Sequence, residues 1–373
     1  VTGAGLFAAE GAGESPLLVV VGSGGVGKTT LAAALGIQSA RRGRDTLVMT
    51  FDPSLRLKDA LGVGEEARER EVAVPLPPGA GATGRLDASL LDARRTFDRL
   101  VERYAPDPES RRRILQNHFY QHLAGTLSGV LEYMAVERLF EVAREGRYGQ
   151  VILDTPPTRQ ALDFLEAPSR IVGFLDSGAL KIALRDWFDE SGHLDAGWGF
   201  LSRRLEGLLD RVVGIEFLQD MLEFFQAFGP LFDGFRARAR QVEELLGSEK
   251  TRFVLVAGPG EERIPDTLFF ARRLREQGYR LGPLVVNRVH PAFPGEEARL
   301  DESSRSPMGC TPTGRRLFAW LGAEDRHGVE QLRALVAGSQ PVVPVPLQSE
   351  EPTNLAALEA LGADLLARVA AAG

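Results

Sequence analysis

Short apolar runs recur along the chain with helical stretches between them. Those at Leu17–Val21, Thr46–Phe51, Val151–Asp154, Phe253–Ala257, Leu284–Asn287 and Val342–Val345 read as strands, with a weaker signal at Val72–Val74. Each is a continuous apolar run, rich in β-branched residues, as in a strand covered on both faces. The pattern predicts an α/β fold built on a doubly wound, mostly parallel sheet.

The spacing of these strands is uneven. Roughly a hundred residues separate the second strand from Val151, far more than one crossover needs. Pro75–Gly84 reads as a loop there, and Leu86–Arg147 as helical, with Leu127, Val130, Leu131, Met134 and Leu139 three and four apart. A second long gap, from Asp154 to Phe253, reads as helices over Ala161–Phe174, Ala179–Phe188, Leu201–Val213 and Phe217–Leu246. The two gaps bracket one strand, so their helices can pack as a single α-helical subdomain inserted around it. The division expected is a flexible leader over residues 1–16, a sheet domain from 17–85, 151–160 and 251–373, and a helical subdomain from 86–150 and 161–250. Pro291–Thr313 is polar and reads as a loop.

Composition narrows the class. Hydrophobic residues make up 44% and charged residues 25% of 373 residues, as in an ordinary globular protein. A net charge of −7 argues against coating nucleic acid. Val1–Pro16 has no basic start and no long apolar core, so it is not a secretory signal. Val212–Phe232 is interrupted by Glu216, Asp220 and Glu223 and is not a bilayer span. The single cysteine, Cys310, excludes a disulfide or a cysteine cluster within one chain. These features together fit a cytoplasmic protein.

Candidate chemistry begins at Gly22-Ser23-Gly24-Gly25-Val26-Gly27-Lys28-Thr29-Thr30, which fits G-x-x-x-x-G-K-T at every constrained position. Leu17–Val21 runs into it and an Ala/Leu-rich helix leaves it. Strand, glycine loop and helix are the context in which this sequence cradles phosphates. Its glycines let backbone N–H groups turn inward, and the helix N-terminus adds partial positive charge. Lys28 supplies a full charge at the β/γ-phosphates and Thr29 a hydroxyl for Mg²⁺. The cofactor set implied is a nucleoside triphosphate with Mg²⁺, and the sheet domain becomes a nucleotide-binding domain.

Two acids follow strands at the same end of the sheet, where open α/β folds bind ligands. Asp52, in Asp52-Pro53-Ser54, can orient an attacking water; equally, it can cap the helix after it. Asp154, in Asp154-Thr155-Pro156-Pro157-Thr158, follows three apolar residues in the manner of a Walker-B acid that holds Mg²⁺ through water. Guanine recognition usually needs Asn-Lys-x-Asp; Asn287 is followed by Arg288, Val289 and His290, so adenine, and hence ATP, is favoured.

The phosphate loop, Phe51-Asp52-Pro53-Ser54-Leu55-Arg56-Leu57-Lys58-Asp59-Ala60-Leu61-Gly62 and Asp154-Thr155-Pro156-Pro157-Thr158, in that order, resemble the ArsA-type anion-transporting ATPases. That family includes arsenite-pump ATPases and the ATPases that target tail-anchored membrane proteins. The resemblance implies a homodimer with two nucleotides at its interface, closing on ATP and opening after hydrolysis to ADP. It implies Gly24, Gly25, Val26, Gly27, Lys28, Thr29 and Thr30 around the phosphates, Asp52 in a first switch and Asp154 in a second. It also implies Asn287 at the adenine, with Pro346 and Leu347 in a loop beside the base.

Departures from the family pattern sharpen the expectation. The family's loop normally opens with a second lysine that reaches the partner's phosphates, where this chain has Ser23. Serine cannot supply that charge, and comparable charges are worth roughly 10³–10⁵ in rate. Either turnover is slow, or another cation substitutes, or a lysine-bearing paralogue is the partner. One cysteine also cannot build the metalloid site of the arsenite pumps or the paired-cysteine zinc bridge of the targeting ATPases. Finally, Phe217, Leu218, Met221, Leu222, Phe224, Phe225, Phe228, Leu231, Phe232 and Phe235 form a dense apolar stripe. It reads either as the core of the helical subdomain or as a groove for a hydrophobic client or membrane partner.

Overall fold

The computed structural model describes residues 6–7, 15–51, 56–68, 70–77, 84–121, 130–176, 220, 223–224, 227–291, 314–336 and 340–372. The chain divides into two compact units. One comprises Val1–Leu91, Val142–Ala161 and Leu245–Gly373, and the other Asp92–Glu141 and Leu162–Glu244.

The first unit is built on an eight-stranded sheet in the order β3-β4-β2-β5-β1-β6-β7-β8. Its strands are β1 (Leu17–Gly22), β2 (Thr46–Thr50), β3 (Val72–Ala73), β4 (Leu86–Leu90), β5 (Gln150–Asp154), β6 (Thr251–Ala257), β7 (Leu281–Val289) and β8 (Val342–Pro346). Every neighbouring pair is parallel except β3 with β4. From β1 the chain goes to β2 on one side, while β6, β7 and β8 extend the other side in sequence order. The carboxyl end of β1 is therefore the switch point at which such sheets bind ligands.

Helix α1 (Lys28–Arg41) shows why its sequence is so uniformly small and apolar. Leu31, Ala32, Ala33, Ala34, Leu35, Ile37 and Ala40 are all fully buried. A helix apolar on every face is covered on every face. The sheet core, including Val20, Ile152 and Val254, takes one side, and Leu358, Leu361 and Leu365 of the C-terminal helix (Leu355–Ala372) take the other. A charged clamp closes the far end, with Arg41 Nε 2.8 Å from Glu359 Oε1. Of the leader expected over residues 1–16, Leu6, Phe7, Ser15 and Pro16 are described, and all are buried.

One expectation is corrected. Leu86–Leu90, expected to open a helical stretch, is strand β4, buried throughout and parallel to β2 with Thr46 opposite Leu86. The segment Leu86-Asp87-Ala88-Ser89-Leu90 alternates in period two, and Asp87 and Ser89 break the continuous apolar look of the other strands. Asp87 is tolerated in the sheet because Tyr148 donates to it at 2.8 Å and Arg85 lies 2.9 Å away.

In the second unit, the described part of the phenylalanine stripe is mostly core, with Phe232 only half-buried. Phe224, Phe228, Leu231 and Phe235 are buried. Phe228 stacks on Phe224 with centroids 5.0 Å apart, and Phe97 meets Phe228 edge-on at 5.8 Å. Phe217, Leu218, Met221, Leu222 and Phe225 lie outside the described residues. Among the described residues no helix is long and apolar enough to cross a membrane.

Candidate functional site

The glycine loop leaves β1 through Gly22, whose φ of 153° and neighbour on β6 leave no room for a side chain. A Cβ there would meet the Val256 carbonyl oxygen at 2.0 Å. The loop enters α1 through Gly27 at φ 92°, in the left-handed region glycine favours. A Cβ on Gly27 would lie 2.5 Å from Asn287 Nδ2, the amide that donates to the Val26 carbonyl at 2.8 Å. The close approach ties strand β7 to the floor of the loop. Lys28 opens α1, is largely buried, and its Nζ donates to the Ser23 carbonyl at 3.0 Å across the loop. A helix start carries partial positive charge, and α1 begins at the end of the loop.

Strands β2 and β5 supply the floor. Their register sets Thr50 beside Asp154. Asp154 is completely buried, and its Oδ2 accepts from Thr29 Oγ1 at 2.7 Å and from Thr50 Oγ1 at 3.0 Å. Thr155 pins the turn after it by donating from its hydroxyl to the Val20 carbonyl at 2.8 Å. A hydroxyl and a carboxylate meeting directly beneath the loop are hard oxygen donors, the kind Mg²⁺ takes. Asp52, the other predicted acid, lies outside the described residues.

Strands β7 and β8 build the third wall. Asn287 is buried, and Arg288 follows it with φ 65°. Its Nη1 donates to the Gly25 carbonyl at 3.1 Å, and its Nη2 is 3.9 Å from Glu351 Oε1. The Leu347 N–H donates to the Val289 carbonyl at 2.8 Å, which holds the loop after Pro346 against β7.

These walls enclose two cavities. A larger one, about 630 Å³, is lined by Gly24, Gly25, Gly27, Lys28, Thr29 and Thr30, joined by Arg56, Pro157 and Gln160. A smaller one, about 260 Å³, is lined by Asn287, Pro346 and Leu347 with Gln348 and Glu350. Gly27, Thr30, Arg288 and Glu351 line both. The predicted phosphate-side and base-side residues therefore fall into adjoining compartments that share a boundary. Val26 is buried beneath the loop, and Asp154 stands behind Thr29. Thr50, Arg56 and Arg288 were not among the candidates. Arg56 lies inside the Phe51–Gly62 motif and Thr50 just before it, so proximity was a usable signal; the left-handed turn at Arg288 has no sequence signature.

A parallel sheet carrying this strand–loop–helix at its switch point, with Thr29 joined to a buried acid from a neighbouring strand, defines a phosphate-loop NTPase. The model of the anion-transporting ATPase family matches residues 16–306, and the chain belongs to that family. That family is one of ATPases. A Halobacterium salinarum protein, provisionally named an arsenical pump-driving ATPase, is 27% identical over 85% of the chain and 47% of its own length. An Aquifex aeolicus protein of the same provisional name is 23% identical over 92% of the chain and 77% of its own length. The ATPase GET3 of Malassezia globosa is 32% identical over 40% of the chain and 41% of its own length. The chain thus spans about half the length of the halobacterial relative.

Proposed function

We propose that this chain binds and hydrolyses ATP as a dimer and couples its nucleotide state to a client or partner, as a resident of the cytoplasm. The observation that carries the reading is the pair of adjoining cavities. One is a glycine- and cation-lined compartment suited to a phosphate chain, and the other is a smaller one flanked by Asn287, Pro346 and Leu347 and suited to a purine. In this reading the N–H groups from Gly24 to Thr30 cradle the phosphates and Lys28 neutralises the β/γ oxygens. Thr29 and, through water, Asp154 would hold Mg²⁺, which when bound offsets the charge that develops on the transferred phosphoryl group. Asp52 orients the attacking water. Asn287, Pro346 and Leu347 fix the adenine.

Slow turnover is part of the proposal, since Ser23 stands where relatives of this type are expected to carry a lysine. A second reading shares that observation: a nucleotide-gated binding module with negligible hydrolysis, paired with a lysine-bearing paralogue. The names of two relatives suggest an arsenical pump as partner, and the resemblance to the targeting ATPases suggests a protein to be targeted. The single cysteine argues against a metalloid site of several thiolates.

Calorimetric titration of the pure protein with Mg²⁺ and a non-hydrolysable ATP analogue tests binding. Steady-state phosphate release then separates the two readings. Saturable heat that disappears in Lys28→Ala supports the site; absence of heat and of thermal protection in folded protein overturns it.

A further inference from the structure

Arg288 is the one residue other than glycine with a positive φ among the described residues, at 65°. Non-glycine residues persist in that region only where the surroundings hold them there. The surroundings here are specific. Asn287 is tied to the phosphate loop through Val26, and the Val289 carbonyl is tied to the loop after β8 through Leu347. The pairing of β7 with β8 also shifts register between Val286 and Val289. Such irregularities re-aim a side chain. The one aimed here is a guanidinium, turned back over the glycine loop onto the Gly25 carbonyl at 3.1 Å.

That carbonyl uses only part of what the guanidinium offers. Arginine carries five N–H donors in a planar fork. Arg288 is half-exposed, and beyond Gly25 its guanidinium lies 3.9 Å from the Glu351 carboxylate. Its side chain lines the larger and the smaller cavity alike. The loop from Gly22 to Thr30 itself contains a single cation, Lys28, whose Nζ faces Ser23. A strained backbone, a register shift and a planar cation at the joint between the compartments converge on one role.

We propose that Arg288 is a second phosphate-binding cation, acting within its own chain where the phosphate chain meets the base compartment. This rests on the nucleotide reading of the site. Its fork suits two phosphate oxygens at once, a geometry that lysine cannot copy although lysine keeps the charge. The competing explanation is a brace that merely holds Gly25 in place.

Arg288→Asn and Arg288→Lys separate these. Asparagine tolerates the left-handed backbone and removes the charge; lysine keeps the charge. Titration with the Mg²⁺ complex of a non-hydrolysable ATP analogue, at low and high salt, is the measurement. Arg288→Asn should weaken binding about tenfold or more at low salt. The deficit should shrink at high salt, and Arg288→Lys should recover part of it. Unchanged affinity in Arg288→Asn overturns the proposal, as does a loss that neither salt nor lysine alters, which is the signature of a brace. If the wild-type protein binds no analogue, the nucleotide reading itself has failed, whatever the variants do.

Discussion

The Thr29 hydroxyl donates to Asp154 Oδ2 at 2.7 Å, although the two residues come from the start of α1 and the end of β5. Thr50 donates to the same oxygen from β2. Three elements thus converge on one carboxylate oxygen directly under the glycine loop. A buried carboxylate that accepts two hydroxyl hydrogen bonds stays oriented without water. Asp154→Asn keeps the shape and an acceptor while removing the charge. The variant should fold, and Mg²⁺ should no longer strengthen nucleotide binding by more than a few-fold. Thr29→Val should lose roughly ten- to a hundredfold in Mg²⁺-supported turnover, the scale of a hydrogen bond to a charged group. Titration with the analogue in the presence and absence of Mg²⁺, beside phosphate release, checks both. Full Mg²⁺ enhancement in Asp154→Asn would remove this acid from the metal site.

Gly27 and Asn287 make a second testable pair. A methyl group on Gly27 meets Asn287 Nδ2 at 2.5 Å on a backbone at φ 92°. Gly27→Ala should therefore cost about 1–3 kcal/mol of stability from backbone strain alone, with the clash added. Asn287→Ala removes the clash and also the hydrogen bond to Val26. The double variant should be less destabilised than the sum of the singles, because the two residues touch. Denaturant unfolding of the four proteins measures the coupling. Strict additivity would mean that the loop and β7 move independently.

Ser23 presents the Lys28 side chain with its carbonyl, not its hydroxyl. A substitution at position 23 therefore leaves that contact intact. If the missing charge limits turnover, Ser23→Lys should raise phosphate release by at least tenfold, with roughly 10³–10⁵ as the range for charges of this kind. Affinity for the analogue should change far less. An unchanged rate would point to a cation already in place, and Arg288→Asn in the Ser23→Lys background would show whether Arg288 is that cation.

The sheet was legible wherever a strand is an unbroken apolar run, as in Leu17–Val21 or Phe253–Ala257, because burial on both faces leaves no polar position. It was illegible at β4, where Asp87 and Ser89 sit inside the sheet and Asp87 is compensated by the adjacent Arg85 and by Tyr148 from elsewhere in the chain. Local sequence holds no record of a partner some sixty residues away, as Tyr148 is from Asp87. Candidate site residues were legible for the same local reason: the loop, Asp154 and Asn287 each lie within one short motif at a strand end. What the motifs omit is set by register and backbone hand. Thr50 reaches Asp154 because β2 and β5 pair in one register, and Arg288 reaches Gly25 because one φ is positive.

The buried ion pair of the helical unit gives a prediction with a pH signature. Glu137, on the helix Val130–Glu145, is fully buried and accepts from Arg238 Nε at 2.6 Å and from the Tyr133 hydroxyl at 2.7 Å. Arg238 also lies over the Tyr104 ring at 4.1 Å. Burial pushes the Glu137 carboxyl above its usual range, and the Arg238 charge pulls it back part of the way. Removing Arg238 leaves the burial without the compensating charge. Arg238→Met should cost about 3–5 kcal/mol at neutral pH. Its carboxyl pKa should climb further, so the folded state would hold a proton that the unfolded chain releases. A group of this sign contributes stability that is complete below its unfolded pKa and is lost as pH rises through its folded value. The deficit of Arg238→Met should therefore shrink near pH 4–5, and adding Glu137→Leu should recover much of it at pH 7. Unfolding curves of the three proteins across pH measure this directly. A deficit independent of pH would mean that Arg238 acts by packing on Tyr104 and Phe235 and not by charge.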